Sequence, residues 1–557
     1  RATSNTTVTN KCGFKATNLQ GVHVRNLLFK GPGNGTQKDI DGVLFFTDKT
    51  FGYLSNIALT NVEVFGFGFC GMRFYSSWSA TVKAGYRGVR IDSCSVHDCR
   101  ENGIVSFAYD DQTTNFYHHR DFQIRNTEVY NITGYAAGSH KGSGIVLSQI
   151  DYSVIERCVA YNTGTLNSAC GGPGGIWVWS ADNVTIQYCE SHHNSSGSST
   201  GCDGLGFDLD GGVTNSIVQY CYSHDNDGAG YLLGNFTGAR AWGSNTVRYN
   251  ISINDARTNN SAVTLFTAPN TTWNGLNFYN NTVYLSGSTK NKYTTFGAFQ
   301  MTDYGTNMSG VKCYNNIFQV SGSGSAGPLS LVHVPATFLP QNPVFIGNLY
   351  WSSGSTFKIN YGISYSSLSA FRATGNEKLN GNSVGVEADP VLTGVANAAS
   401  LLYPKDNNSL SQFQLVSSSP AKDAGLDLLK DMGLSVGARD FWGSSIPIGT
   451  KYDIGAHEYG GVVSSVADGL KKTYFHIQSN PITNGVLEVE LNLSSQKGNQ
   501  FLLMDITGKT VYLEQKYDHI NGTEMSMDVS NLPSGMYWLT LTIDNQRLQT
   551  AQVVIYQ

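Results

Sequence analysis

Apolar and polar positions alternate with period two in short runs, and these runs return about every 32 residues over most of the chain. Period-two alternation puts neighbouring side chains on opposite faces of a strand, and a return at fixed intervals marks a solenoid of stacked repeats. Aligning Val22-His23-Val24-Arg25-Asn26, Ile217-Val218-Gln219-Tyr220-Cys221 and Leu276-Asn277-Phe278-Tyr279-Asn280 gives one small polar or thiol residue per turn. The series runs Asn26, Asn61, Cys94, Asn126, Cys158, Cys189, Cys221, Asn250, Asn280, Asn315, Asn348, at intervals of 29 to 35 residues. It is expected to form one inward ladder, with Asn amides hydrogen-bonding along the axis and thiols filling the same slot.

A second strand in each repeat opens with glycine: Gly42-Val43-Leu44-Phe45-Phe46, Gly71-Met72-Arg73-Phe74-Tyr75, Gly103-Ile104-Val105-Ser106-Phe107, Gly144-Ile145-Val146-Leu147-Ser148, Gly175-Ile176-Trp177-Val178-Trp179, Gly206-Phe207-Asp208-Leu209-Asp210 and Gly230-Tyr231-Leu232-Leu233-Gly234. Alternation turns the second and fourth residues inward and the third and fifth outward. One outer face then carries Phe46, Tyr75, Phe107, Trp177 and Trp179, and in a single rung Asp208 and Asp210. The loops 108–120, 132–143 and 163–174 are long enough to fold over it.

With 62 Gly, 13 Pro and 40% apolar residues, the composition is that of an ordered, turn-rich β protein. Only 14% of residues are charged, the formal net charge is −5, and no basic run occurs, so a nucleic-acid partner is not expected. No apolar stretch reaches transmembrane length. Arg1-Ala2-Thr3-Ser4 has none of the segments of a signal peptide: either that peptide was removed or the chain is a fragment. The first repeat begins almost at once, so the N-terminal cap is expected to be short or missing. Of the 10 cysteines, Cys94, Cys158, Cys189 and Cys221 belong to the ladder and are expected as buried thiols. Cys70 with Cys99, and Cys170 with Cys202, precede Gly strands of adjacent rungs and are candidate disulfides.

The ladder fades after Asn348. Ser419-Pro420-Ala421-Lys422-Asp423-Ala424-Gly425, Arg439-Asp440-Phe441-Trp442-Gly443 and Tyr452-Asp453-Ile454-Gly455-Ala456-His457-Glu458-Tyr459 follow, and together with the solenoid they resemble secreted proteins of the pectate-lyase-like superfamily. Asp453 and Glu458 are expected to tie down loops. Beyond a polar linker, residues 461–472, the segment 473–557 reads as about seven short strands. Its motifs Ser479-Asn480-Pro481, Leu502-Leu503-Met504-Asp505-Ile506-Thr507-Gly508-Lys509 and Leu532-Pro533-Ser534-Gly535-Met536-Tyr537 resemble the C-terminal sorting domain of the type IX secretion system of Bacteroidota. The final Val553-Val554-Ile555-Tyr556-Gln557 lacks the terminal Lys often seen there. The expected architecture is all-β: a right-handed parallel β-helix of about 11 rungs over residues 1–460, irregular from about 350, then an immunoglobulin-like sandwich. The resemblance implies a secreted or surface-displayed, monomeric protein of a Gram-negative bacterium with the secretion machinery as partner.

Candidate chemistry gathers on the Gly-strand face. Asp208 and Asp210 lie ~6.6 Å apart along one strand and should titrate as a pair, one keeping its proton as acid while the other acts as base, as glycoside hydrolysis requires. Asp203 and Asp227 precede successive Gly strands and are expected to stack; with Asp225 they form a candidate Ca²⁺ site, and Asp203 is also a candidate catalytic carboxylate beside Asp208 and Asp210. Lys141 is a candidate Brønsted base for β-elimination if its pKa is lowered, and His224, with His140, His192 and His193, is a candidate acid or base. Trp177, Trp179, Phe107 and Tyr75 are candidate platforms for sugar rings. The lysine-base pectate lyases would place Lys where this chain has Leu232, and the polygalacturonase-like pattern of Asn-Thr-Asp, Asp-Asp and Gly-His-Gly does not occur. The expectation is an extracellular enzyme degrading a polysaccharide, hydrolase or lyase, centred on Asp208 and Asp210. The alternatives are a glycan-binding or adhesin-like surface protein and an exported cargo of other activity.

Overall fold

The computed structural model describes residues 11–33, 39–136, 139–198, 201–302, 305, 307–325, 327–354, 356–392, 407–461, 475–477, 482–483, 485–491, 499–505, 510–517, 524–543 and 546–556. The chain forms two compact units, Arg1–Ser464 and Ser465–Gln557. The expected linker and the Ser479-Asn480-Pro481 motif lie almost wholly outside the described residues.

The first unit is a parallel β-solenoid of about ten turns. Each turn contributes to two faces that merge into one 25-stranded sheet, because strands such as Ser143–Asp151 and Gly174–Asp182 continue round a corner. The third face is a separate 12-stranded sheet. Alternation in the Gly strands is as expected: Val43, Phe45, Met72, Phe74, Ile104, Ile145, Ile176, Phe207 and Tyr231 fill the core. The leading glycines are a steric requirement. A Cβ on Gly42, Gly71, Gly103, Gly144, Gly175 or Gly206 would come within 2.5 to 3.0 Å of the carbonyl oxygen of the next glycine in the column.

The expected single ladder is two columns, one residue apart. Asn26, Asn61, Asn126, Asn280 and Asn315 hold left-handed corners, φ 48° to 53°, where asparagine is tolerated better than most residues. The inward position is the next one, occupied by Cys94, Thr127, Cys158, Cys189, Cys221, Asn250, Asn281, Asn316 and Asn348, all buried. Its lower half is the amide ladder anticipated from sequence. Asn250 donates to Asn281, Asn281 to Asn316 and Asn316 to Asn348, each at 3.0 Å, and Asn348 donates to Glu377 at 2.8 Å. Glu377 ends the column and also accepts from Tyr350 Oη at 2.7 Å. Replacing Asn316 by Ala removes the acceptor of the buried Asn281 backbone N–H and one link of the amide column on each side, and thermal or denaturant unfolding should show a loss of about 1–3 kcal/mol. A Cys at the same site, which copies the upper half of the column, should cost less.

Residues 407–461 close this unit against the outer corner. Leu410, Phe413, Leu428, Phe441 and Trp442 pack with Tyr220, Tyr222, Tyr249 and Tyr279, and Arg248 and Tyr279 both donate to the Ser435 carbonyl. Asp453 and Glu458 accept from backbone N–H groups of Asp423 and Tyr459, and of Ile448 and Asp453. They therefore tie loops.

The second unit has two antiparallel sheets. One holds Phe475–Ile477, Val486–Leu491 and Glu524–Asp528; the other Asn499–Asp505, Thr510–Tyr517, Gly535–Ile543 and Gln546–Ile555. Leu487, Val489, Phe501, Leu503, Met527, Leu539, Leu541 and Val553 form the core, as a β-sandwich requires. Among the described residues, no helix of either unit is long and apolar enough to cross a membrane.

Candidate functional site: a covered acidic cleft

Parallel register aligns the outward positions of the Gly strands into two columns. Val105 neighbours Val146, Val146 neighbours Trp177, Trp177 neighbours Asp208, and Asp208 neighbours Leu232. Asp210 follows Leu209 on the flank of Trp179. This face is not open. Trp177, Asp208 and Asp210 are only 5%, 4% and 9% exposed, and His140, Lys141 and Gly171, from the loops 132–143 and 163–174, line the cavities beside them. Arg240 binds the loop after Phe107, donating to the carbonyls of Asp111 and Phe116. His140 N–H donates to Gly171 O, and Asn167 Nδ2 to Lys141 O, both at 2.6 Å, which joins the next two loops. The Cys170–Cys202 disulfide fastens the second of these loops. Cys70 and Cys99, the other expected pair, are free thiols. Cys99 lies in the central core and Cys70 in the outer cluster with Val105 and Trp177, so they face different compartments.

Two adjoining cavities remain under the loops, of about 410 Å³ and 460 Å³. His140, Trp177, Asp210 and Phe236 line both and form the waist between them. The first cavity adds Phe107, Trp179, Lys141, Glu101 and Arg73; the second adds Asp203, Asp208, Phe266 and Tyr293. Phe107, Trp179 and Phe236 follow one another with centroids 6.2 and 6.3 Å apart. Tyr75 lines neither cavity but stacks on Phe107 at 6.2 Å, and the half-exposed Trp78 stacks on Phe107 at 5.1 Å, at the rim.

Burial governs the chemistry of the acidic pair. Asp208 is pushed well above the carboxylate range by desolvation and then by the neighbouring Asp210 and Asp203. Asp210 is raised by burial to about 7, against a hydrogen bond from the Gly211 N–H. Burial thus pushes both carboxyls toward their protonated form. Asp208 Oδ1, Asp210 Oδ1 and Trp177 Nε1 are buried with no protein partner. Buried polar atoms are nearly always paired, so two acceptors and a donor waiting in a cavity suit a ligand rich in hydroxyls. Half-buried Asp203 lines the second cavity, accepts from Gly172 N–H at 2.7 Å and is raised by burial.

The remaining candidates fall elsewhere or act differently. Lys141 forms an ion pair with Glu101. Burial lowers its pKa, but the Glu101 carboxylate prevails and the net shift is upward, the reverse of what an eliminating base needs. Arg73 is likewise paired with Asp41 at 2.5 Å. His224 lines neither cavity; it belongs to the 12-stranded sheet, fully buried between Glu190 and Asp225 at 3.0 and 2.9 Å. Asp203 and Asp227 do not stack carboxylate on carboxylate. Asp227 accepts from Ser195 Oγ, Ser196 N and Thr258 Oγ1, while Asp225 turns to His224. The expected set of Asp203, Asp225 and Asp227 therefore does not converge as calcium ligation demands. Phe236, Phe266 and Tyr293 were missed from sequence, since they reach the cleft from loops or later rungs. The Phe236 ring packs where a Cβ on Gly211 would lie, 2.2 Å away, a fit that only the folded chain reveals.

Residues 479–556 match the family model described as the secretion system C-terminal sorting domain. The chain carries a secretion-system address. This marks it as exported, to the cell surface or beyond. No curated protein matches the chain in sequence. Among solved structures, the native GH136 lacto-N-biosidase from Eubacterium ramulus aligns at 16% identity and a TM-score of 0.35, covering 48% of each chain. The chain thus spans about half the length of that enzyme. The N-terminal fragment of bacteriophage Phi29 gene product 12 aligns at 12% identity and a TM-score of 0.33, covering 63% of this chain and 67% of that one.

Proposed function

We propose that this chain is an exported glycoside hydrolase that cuts a glycan held in the covered cleft at Asp208 and Asp210. The observation that carries this reading is the buried carboxyl pair with open oxygens beside an unpartnered Trp177 Nε1. Aromatic walls accept the apolar faces of sugar rings, while the few polar atoms read their hydroxyls. Asp208, whose carboxyl burial and the neighbouring Asp210 push well above its ordinary range, gives its proton to the glycosidic oxygen as the bond from that oxygen to the anomeric carbon breaks. Asp210 removes a proton from the water that attacks that carbon, or attacks it directly and is then released by water; both routes consume one water per bond cut. His140 stands at the waist, its ring centroid 6.4 Å from that of Trp177, with its pKa lowered mainly by burial. It is therefore neutral and serves as a hydrogen-bonding wall.

Hydrolysis is favoured over elimination because Lys141 and Arg73 are both committed to carboxylates. A uronate would meet Asp203, Asp208 and Asp210 without an uncommitted cation among the described lining residues to offset them. The motifs of the tail favour export by a type IX system from a Gram-negative Bacteroidota cell. Digestion of a glycan panel, read for new reducing ends and for the ultraviolet absorbance of unsaturated ends, tests the proposal. Reducing ends without that absorbance are expected. Unsaturated products would make the protein a lyase, and retention of a glycan without cleavage would make it a binding protein.

A further inference from the structure

The strands Glu190–His192 and Tyr222–His224 lie side by side in the 12-stranded sheet, away from the cleft. Their register sets His192 beside His224, so the consecutive pair His192-His193 lies over His224-Asp225. The rings of His192 and His224 stack with centroids 4.7 Å apart. His192 Nδ1 and His193 Nδ1 approach to 2.8 Å, and His224 Nδ1 lies 2.9 Å from Asp225 Oδ2. One ligand atom each from His193, His224 and Asp225 lie within 4.8 Å of one another, as do those of Glu190, His192 and His224.

The rest of the corner column makes His193 conspicuous. Asp98, Asn131, Asn162, Asp225 and Asn254 hold the same left-handed corner, φ 51° to 55°, with His193 at 52°. There the side chains link rung to rung, Asn131 Nδ2 to Asp98 Oδ1 at 3.2 Å and Asn162 Nδ2 to Asn131 Oδ1 at 3.5 Å. A single histidine breaks the row, beside a second one and over a third.

We propose that His193, His224 and Asp225 form a binding site for a divalent metal ion of the zinc class, with Glu190 orienting His224 from behind and His192, stacked on His224, holding His193 in place. Imidazole nitrogens with one carboxylate suit zinc and its neighbours, whereas calcium requires a shell of oxygens. The Glu190 contact to His224 Nε2 leaves Nδ1 to face the ion, the carboxylate–histidine–metal arrangement that fixes a ligand ring. Entry of the ion displaces the proton between His224 Nδ1 and Asp225 to solvent. A bound ion would fasten two adjacent rungs at their corner. This site is independent of the glycan cleft.

The test is calorimetric titration of the untagged full chain, stripped with chelator, with Zn²⁺ and separately with Ca²⁺. One Zn²⁺ per chain and no heat from Ca²⁺ are expected. His193→Asn restores the residue type of the neighbouring corners and so should fold, as circular dichroism would confirm; it should weaken Zn²⁺ by at least about 10-fold. Loading with Co²⁺ should give the visible absorption of a nitrogen-rich site, lost in the same variant. Absence of Zn²⁺ binding, or Zn²⁺ binding unchanged by His193→Asn, would overturn the proposal.

Discussion

Replacing Asp208 by Asn is expected to lower kcat on a responsive glycan by about 10²–10⁴-fold, since the amide cannot deliver a proton to the leaving oxygen. KM should change little, because the amide still offers an oxygen to a sugar hydroxyl at the same place on the strand. The pH profile separates this from mere damage to the fold. In the wild type, activity should fall on the alkaline side as the coupled pair loses its last proton. An activated glycoside whose leaving group needs no protonation should be cut by Asp208→Asn far better than the natural bond. Equal losses on both substrates would remove Asp208 from the role of acid.

Asp210→Asn should do something unusual for a mutation in a catalytic cleft: stabilise the protein near neutral pH. The folded state raises Asp210 from its ordinary 3.8 to about 7, chiefly through burial. The native state therefore binds more protons than the unfolded state between those values, and stability falls as pH rises through that window. Asn carries no such dependence. The gain should be near zero below pH about 4 and grow to on the order of 1–3 kcal/mol by pH about 7, reduced by whatever the amide leaves unpaired. Thermal unfolding of both proteins at several pH values measures it. A stability gained together with a loss of turnover is the pattern of a site strained for function, whereas a destabilised Asp210→Asn at neutral pH would show that the carboxylate is a structural partner.

The face on which these residues meet was legible from the order of residues alone, because strand alternation and repeat length depend on nothing else. Trp177 beside Asp208 follows from counting along two Gly strands. The inward ladder was legible only as a composite. Asparagine serves both a left-handed corner and an inward amide column, and the two uses differ by one residue, so Asn26 and Asn280 entered a series whose inward members are Cys94 and Asn250. Loop length showed that this face could be covered, but not that His140 and Lys141 of 132–143 and Gly171 of 163–174 would settle beside the acidic pair. The commitment of Lys141 to Glu101, 40 residues earlier, was not legible, nor was the placing of His224 on the other sheet. Short polar runs such as Ser223-His224-Asp225 carry no alternation long enough to say which side of the solenoid they occupy. The same limit separated the cysteines: Cys170 and Cys202 met, while Cys70 and Cys99, equally well spaced in sequence, came to rest on opposite sides of the wall.

Where the substrate binds is measured most directly by a crystal structure of the Asp208→Asn variant soaked with an oligosaccharide of the responsive glycan. A sugar ring against Trp177, with a glycosidic oxygen within hydrogen-bonding distance of residue 208 and Asp210 on the anomeric carbon or its water, is the expected result. An oligosaccharide bound elsewhere, with the two cavities holding solvent alone, would contradict it.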